Sequence, residues 1–364
     1  MRGLSILLVI LNHIGLRIPL ARTGLNTWLP RSFLVDLNYN GYEAVFVFFV
    51  ISGFLITTNS LRRWGPLRQI NLRAFYAQRF ARIVPCLLAL VAVLAVLDRL
   101  GFQDYVIRHS NQSLGRAIVA ALALHLNWYE GHTGYLPGNW DVLWSLSIEE
   151  VFYIGFPVVC LLTRRTWVLV PLLLLLALSL PESRSALQGH HIWQEKAYLP
   201  GMAAIATGVL GALIVRYTSV PRRVFTTLLC GAGVVGLGAI LFAGSLVWST
   251  WHNGYMLLLT FSVICLVIGL YWREQAGWRR GLPGFGWLRA CGRLSYEIYL
   301  THMFVVYAAV RLYRAEGSHV ESGYLWYLPI VFLCWLLGWV VAKYFSMPLD
   351  RNLRRRLLKP ALSA

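Results

Sequence analysis

Residues 41–61 read GYEAVFVFFVISGFLITTNSL, and Arg62, Arg63, Arg68 and Arg73 follow closely. As an α-helix, a run of that length rises roughly 30 Å, the thickness of a bilayer's hydrocarbon core. Glu43 stands at its entrance and no further charge interrupts it before the arginines. An uncharged run closed by a basic loop predicts a transmembrane helix whose C-terminal end faces the cytoplasm.

The pattern repeats outward from this stretch. Eleven apolar segments run roughly 3–16, 41–61, 83–100, 114–129, 144–162, 166–181, 197–215, 224–247, 255–272, 294–313 and 324–345. Over 364 residues, 58% are hydrophobic and only 13% charged. Soluble domains carry about 25% charged residues. Charges this sparse cannot cover a soluble globule of this size, whereas lipid wets most of a polytopic membrane protein. The expected fold is therefore all-α, a polytopic integral membrane helix bundle. No segment outside the runs is long enough to fold alone. We expect one membrane domain over 1–348 and a basic tail over 349–364.

The net charge of +18 resides in short basic clusters between apolar runs, which is how cytoplasmic loops meet anionic lipid. No nucleic-acid-binding motif accompanies it, so nucleic acid is not an expected partner. Cys86, Cys160, Cys230, Cys265, Cys291 and Cys334 include no CxxC pair, and most lie in apolar runs. They support neither a disulfide framework nor a metal site. The first run opens with Arg2, lacks a small-residue cleavage site, and reads as a retained helix.

Charge also sets the topology. Three groups should be cytoplasmic: Arg62 through Arg82; Arg273, Arg279, Arg280, Arg289 and Arg293; and Arg351, Arg354, Arg355, Arg356 and Lys359. Eleven crossings cannot satisfy all three. If segment 114–129 enters and returns, or lies at the interface, about ten transmembrane helices remain and both termini are cytoplasmic.

Several polar constellations interrupt the apolar runs. Arg2 and His13 are eleven positions apart, so they share a helix face about 16 Å apart along the axis. An imidazole inside a membrane marks either a proton-transfer site or a ring bonded to a helix carbonyl. Arg79 and Arg82, spaced i, i+3, suit phosphate; they equally suit lipid anchoring or topology alone. In Trp144-Ser145-Leu146-Ser147-Ile148-Glu149-Glu150-Val151-Phe152-Tyr153, the residues Ser145, Glu149 and Tyr153 share a face. Glu149 there can orient a catalytic imidazole, bind a hydroxylated acceptor, or act with Glu150 as an acidic helix start. Ser295, Tyr299 and His302 form a stripe that lines an acceptor path or bonds helices together. Ser52 and Gly53, small residues in the second run, predict a close helix approach. His125 is the most suggestive of the remaining histidines.

Taken in order, the stretch Arg2-Gly3-Leu4 through His13, Phe48 through Phe54, Arg79 with Arg82, Trp144 through Tyr153, and Ser295-Tyr296 through His302 resemble acyltransferase family 3, the bacterial multipass membrane O-acyltransferases. The resemblance covers nearly the whole chain. It implies acyl transfer from acyl-CoA, with acetyl-CoA the expected donor and no permanently bound cofactor. The acceptor would be a hydroxyl on a carbohydrate, a lipid-linked sugar or a glycosylated small molecule. It implies His13 as catalytic base and Arg79 with Arg82 at the donor's phosphates; beside it, the residues themselves make Glu149 a second catalytic candidate. Arg79, Arg82 and Arg2 would bind the donor. Trp144, Ser145, Tyr153, Tyr299 and His302 would bind the acceptor. Family members carry Glu-x-Pro after the last span, where this chain reads Ser346-Met347-Pro348. No hydrolase-like domain is expected after the membrane domain. The competing class on composition alone is a polytopic transporter or exporter, against which the absence of paired Gly/Pro-broken helices in matching halves speaks.

The topology has a direct test. Reporter fusions or cysteine accessibility should place residues 105–110 and 133–140 on the same, outer side of the cytoplasmic membrane. A cytoplasmic reporter at 105–110 would mean that segment 114–129 crosses.

Overall fold

The computed structural model describes residues 1–278 and 284–358, and every regular element within them is helical. Ten helices fall on the apolar segments: α1 (Arg2–Gly15), α2 (Gly41–Trp64), α3 (Leu72–Arg99), α4 (Trp144–Thr163), α5 (Thr166–Leu178), α6 (Tyr198–Tyr217), α7 (Arg223–Phe242), α8 (Tyr255–Gln275), α9 (Ser295–Ala315) and α10 (Tyr327–Val341). Seven helical stretches among the described residues are long and apolar enough to cross a membrane, and they contain α2, α3, α4, α6, α7, α8 and α10. α1 and α5 are apolar but only 14 and 13 residues long. α9 has 21 residues but carries Glu297, Arg311 and Arg314. Length and composition thus support seven crossings, fewer than the ten expected. Arg279, Arg280 and Lys359, counted above with the basic loops, lie outside the described residues.

The eleventh segment is not one helix. It breaks into Leu114–Leu122 and Leu126–Thr133, of nine and eight residues. At 1.5 Å per residue neither reaches across a bilayer core. The break is at Leu124, held at φ +61 in the left-handed region, which costs a side chain on the order of 1–2 kcal/mol. Neighbouring helices hold it there. The Tyr198 hydroxyl donates to the Leu124 carbonyl (2.6 Å), and the Leu126 N–H donates to Ser147 Oγ (3.2 Å). The segment 224–247 also departs from expectation. α7 stops at Phe242 because Ala243 leaves the helical region (φ −140, ψ 32), and a separate helix, Gly244–Trp251, begins.

α2 is the central helix: 78% of its apolar window is buried, against 28% for α7. This explains its unbroken hydrophobicity, since a helix apolar on every side needs neighbours all round. Its tightest neighbour is α6. A side chain at Gly53 would run into the Ile205 carbonyl, and one at Gly208 into the Val50 carbonyl. Two glycines facing backbone from opposite helices bring α2 and α6 together, as the Ser52-Gly53 pair predicts. With its glycine partner spent on packing, Ser52 is left free to bond elsewhere.

At the C-terminal end, a π-helical turn over Ala342–Ser346 interrupts the run from α10 into the helix Met347–Leu357. That last helix packs against α3. The part of the basic tail up to Leu357 is therefore seated on the bundle.

Candidate active site

Two polar cavities open at opposite ends of α2. Gly41 lines one and Trp64 the other, so by helix rise their mouths are about 35 Å apart. At the Trp64 end, a cavity of about 570 Å³ is lined by Arg62, Arg63, Arg79, Arg82 and Arg354, with Asn59, Ser60 and Gln78. At the Gly41 end, a cavity of about 640 Å³ is lined by His13, Asn12, Arg17, Asp141, Glu195 and Lys196, together with Tyr39, Tyr42, Tyr135, Trp144, Tyr299 and Tyr307. A neck of about 50 Å³ lies between them, lined by Arg2, Phe48, Phe49, Ser145, Glu149, Ser295, Tyr296 and Tyr299. Val45 and Tyr299 belong to both the neck and the His13 cavity.

Helical periodicity assembles this row. Arg2 and His13 share one face of α1; the first meets the neck and the second the far cavity. Ser145 and Glu149 are one turn apart on α4 and both enter the neck. Ser295 and Tyr299 do the same from α9. The Tyr299 hydroxyl donates to the Val142 carbonyl (2.8 Å), so its oxygen is free to accept from Ser145 Oγ, also at 2.8 Å. This pins α9 to the start of α4 beside His13.

Glu149 and Glu150 do not cap a helix. α4 begins at Trp144, which puts both carboxylates in its second turn. Glu149 Oε1 accepts from Ser52 Oγ of α2 at 2.9 Å. It does not orient His13; the ring beside His13 is that of His302, with centroids 5.1 Å apart. Tyr153 and His302, both expected to touch an acceptor, line none of the three spaces. Tyr153 lies beneath Arg79, whose guanidinium sits 4.8 Å from its ring centroid. His302 is 0% exposed and sits under His13. His125 lies elsewhere, against Trp128.

The two arginines of the RxxR pair are not alike. Arg82 grips Glu297 with both arms of its fork, Nη1 to Oε1 at 2.6 Å and Nη2 to Oε2 at 3.1 Å. Ser346 accepts from Arg82 (3.0 Å) and donates to Glu297 (2.6 Å). Glu297 is 0% exposed, and Arg82 also rests over the Tyr296 ring at 5.1 Å. The guanidinium that phosphate would need is thus engaged inside the protein. Arg79 has no such carboxylate among the described residues and faces the arginine cavity. Ser346 stands where the resemblance leads one to expect a glutamate, and here Glu297 supplies the carboxylate.

Some of the site carried little signal in the sequence. Lys196, 3% exposed, is held by Glu130 at 2.8 Å and by Asp141, with the Tyr135 ring against it at 4.4 Å. These residues come from three separate stretches and share no spacing. Glu297 did carry a signal: a carboxylate in a helix of the membrane domain requires a partner. Its partner is 215 positions away, beyond any local pattern.

A family model described as an acyltransferase domain matches residues 1–346. A provisionally named O-acetyltransferase of Staphylococcus aureus (strain COL) is 25% identical over 87% of this chain and 51% of its own length. The peptidoglycan O-acetyltransferase of Listeria monocytogenes is 30% identical over 44% of this chain and 25% of its own. An O-acetyltransferase of Staphylococcus aureus (strain NCTC 8325) is 32% identical over 33% of this chain and 20% of its own. The chain spans about half the length of the longest-matching of these relatives. No solved structure matches it.

The asymmetry between the arginines predicts a split in stability. Arg82→Ala strands the buried Glu297 charge and should cost about 3 kcal/mol, read as a lowered Tm of the purified protein in detergent. Arg79→Ala should leave Tm nearly unchanged. Equal Tm values for the two variants would contradict the ion-pair assignment.

Proposed function

The chain belongs to acyltransferase family 3, and from that premise we propose that it is an integral-membrane O-acyltransferase. It moves an acyl group, acetyl by the names of its relatives, from acyl-CoA to a hydroxyl of a carbohydrate or glycosylated acceptor. The observation that carries this reading is the series of arginine cavity, narrow neck and His13 cavity along one helix.

The donor's phosphates suit the arginine cavity. Arg79 offers a free planar fork there, and Arg62, Arg63 and Arg354 add charge. Arg82 holds the wall in place through Glu297. The slender acyl-bearing arm of the donor points into the neck. At about 50 Å³ the neck holds a few water molecules, so Arg2, Glu149 and Tyr296 must part to admit it.

The acceptor suits the far cavity. Its volume falls within the range of small-molecule sites, roughly 300–1,000 Å³. Flat aromatic faces from Tyr42, Trp144 and Tyr307, with Asn12, Asp141 and Glu195 among them, fit a hydroxyl-rich ring. His13 takes the acceptor's hydroxyl proton as the oxygen attacks the thioester carbonyl. The tetrahedral adduct collapses, the carbon–sulfur bond breaks, and His13 returns the proton to the leaving thiolate. General base catalysis of this kind contributes about 10²–10⁴-fold.

The topology belongs to the same proposal. α1, α5 and α9 join the seven long stretches to give ten spans, with both termini and the arginine cavity on the cytoplasmic side of the cell membrane. A transporter would use two facing cavities as well, but it would move an unmodified solute.

Two substitutions test the proposal with radiolabelled acetyl-CoA and purified protein. His13→Ala should abolish transfer at unchanged membrane abundance. Arg79→Lys keeps the charge but loses the fork, and should raise the donor KM roughly three- to thirty-fold. Near wild-type turnover in the first would sink the base, and an unchanged donor KM in the second would sink the phosphate site.

A further inference from the structure

We infer that His302 is a positioning residue for His13, a buried hydrogen-bond acceptor that fixes which ring nitrogen of His13 faces the acceptor hydroxyl. This rests on the assignment of His13 as base made above.

His302 cannot reach a substrate itself, because it is fully buried and lines none of the three spaces along α2. Its Nδ1 lies 2.7 Å from the Tyr299 carbonyl and 3.2 Å from the Ile298 carbonyl. Carbonyl oxygens only accept, so Nδ1 carries the proton; the tautomer follows from these partners. A neutral imidazole has one N–H, and Nε2 is left as a lone pair. That Nε2 is buried and has no hydrogen-bond partner. Leaving a buried acceptor unsatisfied is costly, so a neighbouring group able to donate to it is favoured.

The neighbours of His302 narrow the choice of donor. The Tyr299 ring is 5.8 Å away, but its hydroxyl donates to the Val142 carbonyl. The Cys334 thiol lies on the His302 carbonyl, not on its ring. Arg17 Nη1 donates to the His13 carbonyl at 2.8 Å. Of the rings packed on His302, His13 is the one with a donor to offer, with centroids 5.1 Å apart and planes inclined at 47°. The two rings share no hydrogen bond here; catalytic contacts of this kind tighten as reacting groups draw together.

The consequence is tautomeric control. If one His13 nitrogen donates to His302 Nε2, the other is unprotonated and faces the cavity, which is the form a base must take. When His13 accepts the hydroxyl proton, its second N–H stays on the His302 lone pair. The imidazolium is then not left with an unpaired donor inside the membrane domain. The proton leaves again to the departing thiolate, and His302 neither gains nor loses one.

Two near-isosteres separate this role from a structural one. His302→Asn places its amide where Nδ1 stood and keeps the bond to the Tyr299 carbonyl. His302→Gln places an amide oxygen where Nε2 stood. Steady-state kinetics are measured on monodisperse purified protein, beside His13→Ala. We expect His302→Asn to lower kcat roughly 10–100-fold, part of the contribution of a general base, with both KM values changed less than about two-fold. His302→Gln should keep kcat within about five-fold of the parent. A purely structural role would reverse that order, and equal or higher kcat in His302→Asn overturns the inference. If His13→Ala retains turnover, the base assignment fails instead, whatever the 302 variants do. ¹⁵N-histidine NMR of the unsubstituted protein needs no variant to fold. Besides His132, whose Nδ1 also meets a carbonyl oxygen at 2.9 Å, a second ring should show the uncommon Nδ1–H tautomer, and its absence would overturn the inference.

Discussion

A carboxylate with no solvent exposure, inside a helix of the membrane domain, must be paired. Glu297 meets that constraint through both arms of Arg82 and the hydroxyl of Ser346. The pair joins α3, α9 and the turn that leads out of α10. Removing one partner would leave a bare charge, so the three elements are held in one register. That register sets the polar stripe of α9 against α1 and α4, and leaves Arg79, one turn from Arg82 on α3, facing open space. The ion pair thereby holds one wall of the arginine cavity in place.

The same reasoning runs along the whole polar row. Many of its buried groups find a partner on another element. Ser52 binds Glu149, Ser145 binds Tyr299, and Lys196 is held by Glu130 and Asp141. Others are left without a partner, among them Arg2 Nε in the neck wall, Glu150 Oε1 on α4 and His302 Nε2 beneath His13. Close packing of α2 on α6, through Gly53 and Gly208, lets one central helix carry a cavity at each end.

Much of the architecture could be read from hydrophobic runs, because membrane burial is a local property of sequence. The approximate places of the ten helices follow from run length, and the expectation that segment 114–129 does not cross follows from charge; the breaks at Leu124 and Ala243 do not. Helical spacing also placed Arg2 with His13, and Ser295 with Tyr299, on shared faces. What spacing could not supply was partnership across the bundle. Nothing near Arg82 announces Glu297, and nothing near Glu149 announces Ser52. Burial was equally hidden: His302 shares the face of Tyr299 yet lies beneath His13 rather than in the cavity. The acidic pair at 149–150 was open to a capping interpretation only because the start of α4 had no marked boundary in the sequence.

The central claim is that a donor held at the arginine cavity reaches His13 through the neck. The most direct measurement is a structure of the protein with an unreactive thioether analogue of acetyl-CoA. The account predicts phosphate density against Arg79 within the cavity that Arg62, Arg63 and Arg354 also line. It predicts the pantetheine arm between Arg2 and Glu149, and the acyl end beside His13. Phosphates bound elsewhere, or an acyl end that stays on the arginine side of a closed neck, would contradict it.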